Sequence, residues 1–191
     1  MPRPKKDAAR PGTVIDVDAY RDELDQVRRW IETPSEQRDH EPILNDRGVP
    51  GAWRERLVPS TAGRGASGGR LAVAAGQYLV WYFNGLPVPR CPDSPLPPFY
   101  DVAHVYWGLV SRRLELDARV ATDLVHLDCA GRGDTEPRHA TVKLLERNFT
   151  PPAPEPLNAA LRGWGDELAV HSNARFRKLA TRAFALAGEP R

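Results

Sequence analysis

Prolines set the strongest constraint on how this 191-residue chain can fold. Six of them fall within residues 85–99, and a second proline-rich stretch covers 151–156. Proline fixes φ and has no amide hydrogen to donate, so these stretches predict extended connectors instead of helix interiors or central strands. Between them, residues 100–149 carry three successive helix-like patterns without a proline-rich break. We therefore expect a mainly α-helical protein, a small helical bundle with proline-rich connectors.

Composition divides the chain further. Apolar residues make up 41% and charged residues 27%, which is typical of globular proteins with a real core. A basic, proline-containing opening without apolar periodicity predicts a disordered arm, and the glycine-rich stretch that ends at Arg70 predicts a basic loop. The expected segments are the basic arm at 1–17, a helical portion with that loop at 18–86, a connector at 87–99, a helical unit at 100–149 and a C-terminal helical region at 155–188.

Apolar spacing identifies individual helices. Residues four and three apart share one face of a helix, and the first such stripe consists of Tyr20, Leu24, Val27 and Ile31. Asp18 is the expected N-cap of that helix, and Asp101 and Asp117 are the expected caps of two helices in the 100–149 unit. The most apolar run, 71–84, predicts a central core helix, with a buried strand pair as the alternative.

The C-terminal region shows a second stripe, formed by Leu157, Leu161, Trp164 and Leu168. Gly163 and Gly165 interrupt it, and glycine weakens a helix by about 1 kcal/mol relative to alanine. We therefore expect either a bend in this region or two consecutive helices.

The last helix of the 100–149 unit, expected to begin near Thr135, combines an apolar stripe with a basic one. Val142, Leu145 and Phe149 recur on its inner face. His139, Lys143 and Arg147 recur every four residues on an adjoining stripe. Three short helices with a basic third one are the layout of helix-turn-helix DNA readers. Because five residues separate the second and third helices, the unit would be a variant of that motif.

The net charge of +2 conceals a sorting of signs along the chain. Residues 15–46 carry ten carboxylates against four arginines, whereas the stretch from Ser172 carries five cations against Glu189. A basic surface attracts nucleic acid and an acidic one repels it, so we expect the contact with double-stranded DNA in the later part of the chain. The candidate DNA-binding residues are Arg138, His139, Lys143, Arg147, Arg175, Arg177, Lys178 and Arg182.

The sequence contains no complete motif for a cofactor, a metal ion or catalysis. The stretch 63–68 matches the dinucleotide pattern G-x-G-x-x-G, but the segment before it is too short and proline-bound to be the required strand. His126 and Cys129 share one helical turn, yet no C-x-x-C accompanies them to complete a zinc site. No G-x-S-x-G, H-E-x-x-H or S-x-x-K motif occurs. We expect no cofactor, no metal and no enzymatic activity.

The two cysteines allow at most one disulfide, and reduced thiols are the default. The longest apolar runs are shorter than the ~20 residues that a membrane-spanning helix needs. These absences lead us to expect a cytoplasmic protein without a membrane partner.

The opening Met-Pro-Arg-Pro-Lys-Lys, followed by helices, a proline-rich entry into a helical unit and a basic C-terminal stretch, resembles the small subunits of phage terminases. This resemblance implies an oligomeric, non-catalytic protein that recognises viral DNA and passes it to a separate nuclease and motor subunit. The leading hypothesis is thus a non-enzymatic DNA-binding protein and homo-oligomer, either a phage DNA-packaging recognition subunit or a helix-turn-helix regulator.

Two alternatives remain open at this point. A helical protein-protein adaptor would bind its partner through the apolar seams at 20–31 and 157–168. An enzyme of another kind would gather His104, His126 and Asp123 in one pocket.

Overall fold

The computed structural model describes residues 12–34, 37, 66–130 and 135–189. This part of the chain is mainly helical, which confirms the expected fold class. None of its helices is long and apolar enough to cross a membrane. In chain order the elements are a 3₁₀ turn at Val17–Tyr20, α1 (Arg21–Glu32), α2 (Ala66–Phe83), α3 (Pro98–Val110), α4 (Ala118–Ala130), α5 (Thr135–Asn148), α6 (Leu157–Ala169) and α7 (Ala174–Leu186).

The first apolar stripe is buried as predicted. Its members Tyr20, Leu24, Val27 and Ile31 all lie in the core. The predicted cap was wrong: a 3₁₀ turn precedes α1, and the Asp16 side chain caps that turn by accepting the amide hydrogen of Asp18 at 3.2 Å. Asp18 is itself exposed and pairs with Arg21, because the turn shifts the start of the helix by a few residues.

Helix α2 is the central helix of the bundle, as the 71–84 run predicted, and not a strand pair. The prediction that the basic loop continues to Arg70 was wrong, because the helix already begins at Ala66. A Cβ on Gly69 would lie 2.6 Å from Cδ2 of Leu116, so glycine lets α2 approach that segment closely. The rest of the predicted loop, residues 35–65 apart from residue 37, lies outside the described residues, as does the arm before residue 12.

The chain before the 3₁₀ turn is fastened along α2 by one buried amide. Gln77 is fully buried, and its side-chain carbonyl accepts the amide hydrogen of Val14 at 3.2 Å. Its NH₂ group donates to the carbonyl of Gly12 at 3.3 Å. A buried side-chain amide without partners would cost free energy, so this pairing fixes the register of residues 12–14.

The start of α3 differs from the prediction, and the start of α4 does not. Helix α3 begins at Pro98, where a missing amide hydrogen has no cost, and Asp101 is buried inside the first turn instead of capping it. Asp117 caps α4 as predicted, accepting the amide hydrogen of Val120 at 2.8 Å.

Two apolar clusters make up the core, and α4 and α5 contribute to both. The first cluster joins α1, α2, α3, one side of α4 and Leu144 of α5. The second joins the other sides of α4 and α5 to α6 and α7. The predicted 100–149 unit therefore has no core of its own, and it connects the N-terminal helices to the C-terminal ones.

The C-terminal helices form an antiparallel hairpin. The break between them falls at residues 170–173 and not at Gly163 or Gly165. Asn173 caps α7 by accepting the amide hydrogen of Arg175 at 2.9 Å. At the other end of the hairpin, the Asn158 amide of α6 donates to the carbonyl of Ala187 at 2.9 Å. The helix ends are thus set by capping and turn formation, whereas both glycines lie within α6.

Candidate nucleic-acid interface

Helices α5 and α7 lie side by side and run in the same direction. Near their beginnings, the Arg138 guanidinium lies 4.9 Å from the ring centroid of Phe176. Further along both helices, Arg182 donates to the carboxylate of Glu146, 36 positions earlier in the chain. The two basic stretches of the sequence therefore come together on one surface.

That surface carries cations from both helices. On α5, Lys143 and Arg147 are exposed and His139 is half-buried. On α7, Arg175, Lys178 and Arg182 are spaced three and four apart and so follow one stripe. The contact with Glu146 places this stripe on the side of α7 that faces α5. The α5–α7 face consists of His139, Lys143, Glu146, Arg147, Arg175, Lys178 and Arg182.

Glu146 is the one carboxylate among the residues that define the α5–α7 face. Arg182 grips it in a forked geometry, with Nε 2.8 Å from Oε1 and Nη2 2.5 Å from Oε2. Both side chains keep about a third of their surface exposed, 31% and 39%. A solvent-exposed ion pair contributes only about 0 to 1 kcal/mol. The pair orients Arg182 and partly neutralises the face, and it contributes little to holding the two helices together.

Arg177 has a different role from its neighbours. Although it is exposed, its Nη1 donates to the carbonyl oxygens of His171 and Ser172 at 2.9 and 2.7 Å. One residue along a helix turns the side chain by roughly 100°, so Arg177 points away from the stripe that contains Lys178. The structure separates this candidate from the α5–α7 face and ties it to the turn between α6 and α7.

Arg138 is the other candidate that lies apart from this face. Only 6% of its surface is exposed, and its guanidinium stacks on the Phe176 ring. The sequence contained a signal for this burial. Arg138 precedes Val142 by four residues and Leu145 by seven, which puts it on the apolar stripe of α5. Because its side chain is charged, Arg138 was interpreted as a surface residue although its spacing indicates a core position.

A buried polar cluster surrounds Arg138. The Tyr106 hydroxyl of α3 donates to Asp128 of α4 at 2.9 Å. Burial raises the pKa of Asp128 to about 6, although hydrogen bonds from Thr141 and Tyr106 and the charge of Arg138 act in the opposite direction. Burial and the adjacent Asp128 charge also raise the pKa of Tyr106 well above its usual value. This cluster links α3, α4 and α5 directly beneath α7.

Two of the residues considered for metal or catalytic sites, Cys129 and Asp123, lie in surroundings that disfavour those roles. Burial, with the negative charges of Glu167 and Asp128, raises the pKa of the Cys129 thiol to about 12, which disfavours the thiolate that zinc requires. Asp123 accepts a hydrogen bond from the Tyr20 hydroxyl at 2.6 Å. Within residues 12–34, 66–130 and 135–189, no three His, Cys, Asp or Glu side chains come together in a way that could hold a metal ion.

The apolar seams considered for an adaptor are used inside the molecule. Both the 20–31 seam and the 157–168 seam are buried in the chain's own core. Neither seam is available to a partner protein in this fold, so an adaptor would have to use another surface.

Comparisons with protein-family models, with curated protein sequences and with solved structures return no match.

Proposed function

We propose that this protein binds double-stranded DNA through the α5–α7 face and has no enzymatic activity of its own. The supporting observation is that two helices distant in sequence lie side by side and carry five lysine and arginine side chains on their adjoining stripes, one of which, Arg182, pairs with Glu146. Duplex DNA carries one negative charge per about 1.7 Å of helix axis, and releasing its counterions drives the binding of such a surface. Lys143 and Arg147 on one helix and Arg175 and Lys178 on the other are the principal contacts, because Arg182 is paired with Glu146.

The resemblance to terminase small subunits supports a more specific proposal. In this proposal the protein is a homo-oligomeric recognition subunit of phage DNA packaging, which hands DNA to a separate catalytic subunit. Because the two apolar seams are buried, its subunits would associate through other surfaces. Light scattering of the purified protein tests this part, and a monomer at all concentrations would contradict it.

Binding to DNA is tested by fluorescence anisotropy with a mixed-sequence duplex over a range of salt concentrations. If each of the four cations that are not paired with Glu146 releases about one counterion, log K should fall with log salt with a slope of roughly −3 to −4. The double variant Lys143→Glu/Lys178→Glu should reduce that slope by about two or more and weaken binding at least about tenfold at low salt.

A matched control separates a specific face from a general charge effect. Arg28 lies on α1, Arg90 lies in the connector, and both are exposed. The double variant Arg28→Glu/Arg90→Glu changes the net charge by the same amount, from +2 to −2, because each reversal subtracts two. We expect it to retain most of the affinity. Equal losses in the two double variants would contradict the assignment of the α5–α7 face, and no binding by the unmodified protein at low salt would refute the proposed function.

A further inference from the structure

The width of the α5–α7 face restricts how DNA can meet it. Packed helices lie about 8–10 Å apart and each is about 10–12 Å in diameter, so two side by side span roughly 20 Å. The major groove of B-DNA is about 12 Å wide and admits a single helix. The pair therefore cannot enter the groove as a unit and must rest on its phosphate walls.

Helix α5 cannot enter a groove alone either. Among the side chains that the structure describes in α5, at residues 138–148, the exposed ones form a narrow strip of Lys143, Glu146 and Arg147. Val142 and Leu144, on either side of this strip, are 2% and 0% exposed. A recognition helix needs a broad free surface to bring several side chains to base edges. The cations of α5 can reach phosphates but are not presented for reading bases.

The exposed side chains of the two helices also lack a platform for single strands. Proteins that bind single-stranded DNA stack bases on aromatic rings. The aromatic residues of α7, Phe176 and Phe184, are buried at 8% and 3% exposure. Among the described side chains of α5 there is no Phe, Tyr or Trp. The exposed chemistry of the face is cationic and suited to phosphates.

We infer that contacts of the α5–α7 face with the two phosphate backbones on either side of one groove carry its binding to duplex DNA. Lys143 and Arg147 contact one strand, and Arg175 and Lys178 contact the other. Glu146 lies between these two rows, over the groove, where no phosphate opposes it. This inference rests on the proposed function and specifies its ligand as the duplex backbone.

The first test compares ligands. Binding of the full chain is measured at one salt concentration to two duplexes of unrelated sequence and to their separate single strands, all of one length. A protein without base contacts should bind the duplexes within about threefold of each other, since a single bidentate base contact already gives roughly fivefold or more. The single strands should bind at least about tenfold more weakly. A tenfold preference for one duplex, or equal binding to single strands, would overturn the inference.

The second test asks whether both rows take part. Lys143→Gln and Lys178→Gln each remove one exposed cation, one from each helix, and Arg90→Gln serves as the matched control. Each of the first two should lower the magnitude of the salt slope by about one, and their combination by about two. A slope that changes only with Lys178→Gln would show that α7 alone contacts DNA and would overturn the two-strand arrangement. Binding to no nucleic acid at all would instead refute the proposed function itself.

Discussion

The buried carboxylate of Asp128 makes the stability of the fold depend on pH in a predictable direction. Its pKa is about 6 in the folded protein, against an ordinary value of 3.8, with burial as the main cause. Between pH 3.8 and pH 6, Asp128 is therefore mostly protonated in the folded state and mostly ionised in the unfolded state. The resulting stabilisation is fully present below pH 3.8 and is lost as the pH rises through 6.

The size of the effect follows from the two pKa values. Ionising Asp128 costs the folded state about 3 kcal/mol relative to the unfolded chain. Between pH 8 and pH 5 the folded protein recovers only part of this, about 1 kcal/mol, because the difference keeps growing until the unfolded carboxyl also binds its proton near pH 3.8. Asp128→Asn keeps an acceptor for Tyr106 but cannot titrate, so the variant should lack this contribution.

Urea denaturation at pH 5 and pH 8 measures the effect as a difference of differences. All other titrating groups are shared, so subtracting the variant's change from that of the unmodified protein isolates Asp128. Tyr106→Phe provides a test in the opposite direction, because it removes a donor to the carboxylate and should raise the pKa of Asp128 further. An identical pH dependence in the unmodified protein and in Asp128→Asn would refute the reasoning.

Two further predictions concern the glycines of α6 and the ion pair between α5 and α7. Gly163→Ala, where a Cβ meets no atom within 4 Å, should raise the free energy of unfolding by up to about 1 kcal/mol, whereas Gly165→Ala, whose Cβ would lie 2.7 Å from the buried Phe184 ring, should lower it by about 1 kcal/mol in urea denaturation. Equal effects would contradict the packing described for α6. Glu146→Gln should release Arg182 and steepen the salt dependence of DNA binding by up to about one unit of slope. Unchanged binding would show that Arg182 does not contact DNA.

Much of the fold could be predicted from the sequence because the apolar periods are strong. The stripe that begins at Tyr20 and the one that begins at Leu157 are both buried, and the 71–84 run is the central helix. Helix starts were less predictable, since several polar residues compete for each cap. Asp16 and not Asp18 caps the first turn, and α3 begins at Pro98 without a cap from Asp101. Local turn geometry decides which side chain reaches the free amides.

The candidate site was harder to predict because it depends on a long-range contact. Arg138 was grouped with Lys143 as a DNA-binding candidate because both are cations. The spacing of Arg138 from Val142 and Leu145 instead predicts a core position, and Arg138 is indeed buried. No local pattern indicates that α5 adjoins α7, since that contact joins residues 36 positions apart. The sequence identifies the cations that could contact DNA, and only the packing of the helices shows which of them share a surface.

Helix α7 is held at both ends. Arg177 donates to the carbonyls of the turn before it, and the Asn158 amide donates to the carbonyl of Ala187 just after it and to that of Ala153 in the connector before α6. Such a helix is ordered before any ligand arrives, so the entropic cost of organising its backbone belongs to folding and not to association. Calorimetry of DNA binding should accordingly lack the large negative heat-capacity change of coupled folding, and the face would act as a preorganised electrostatic template.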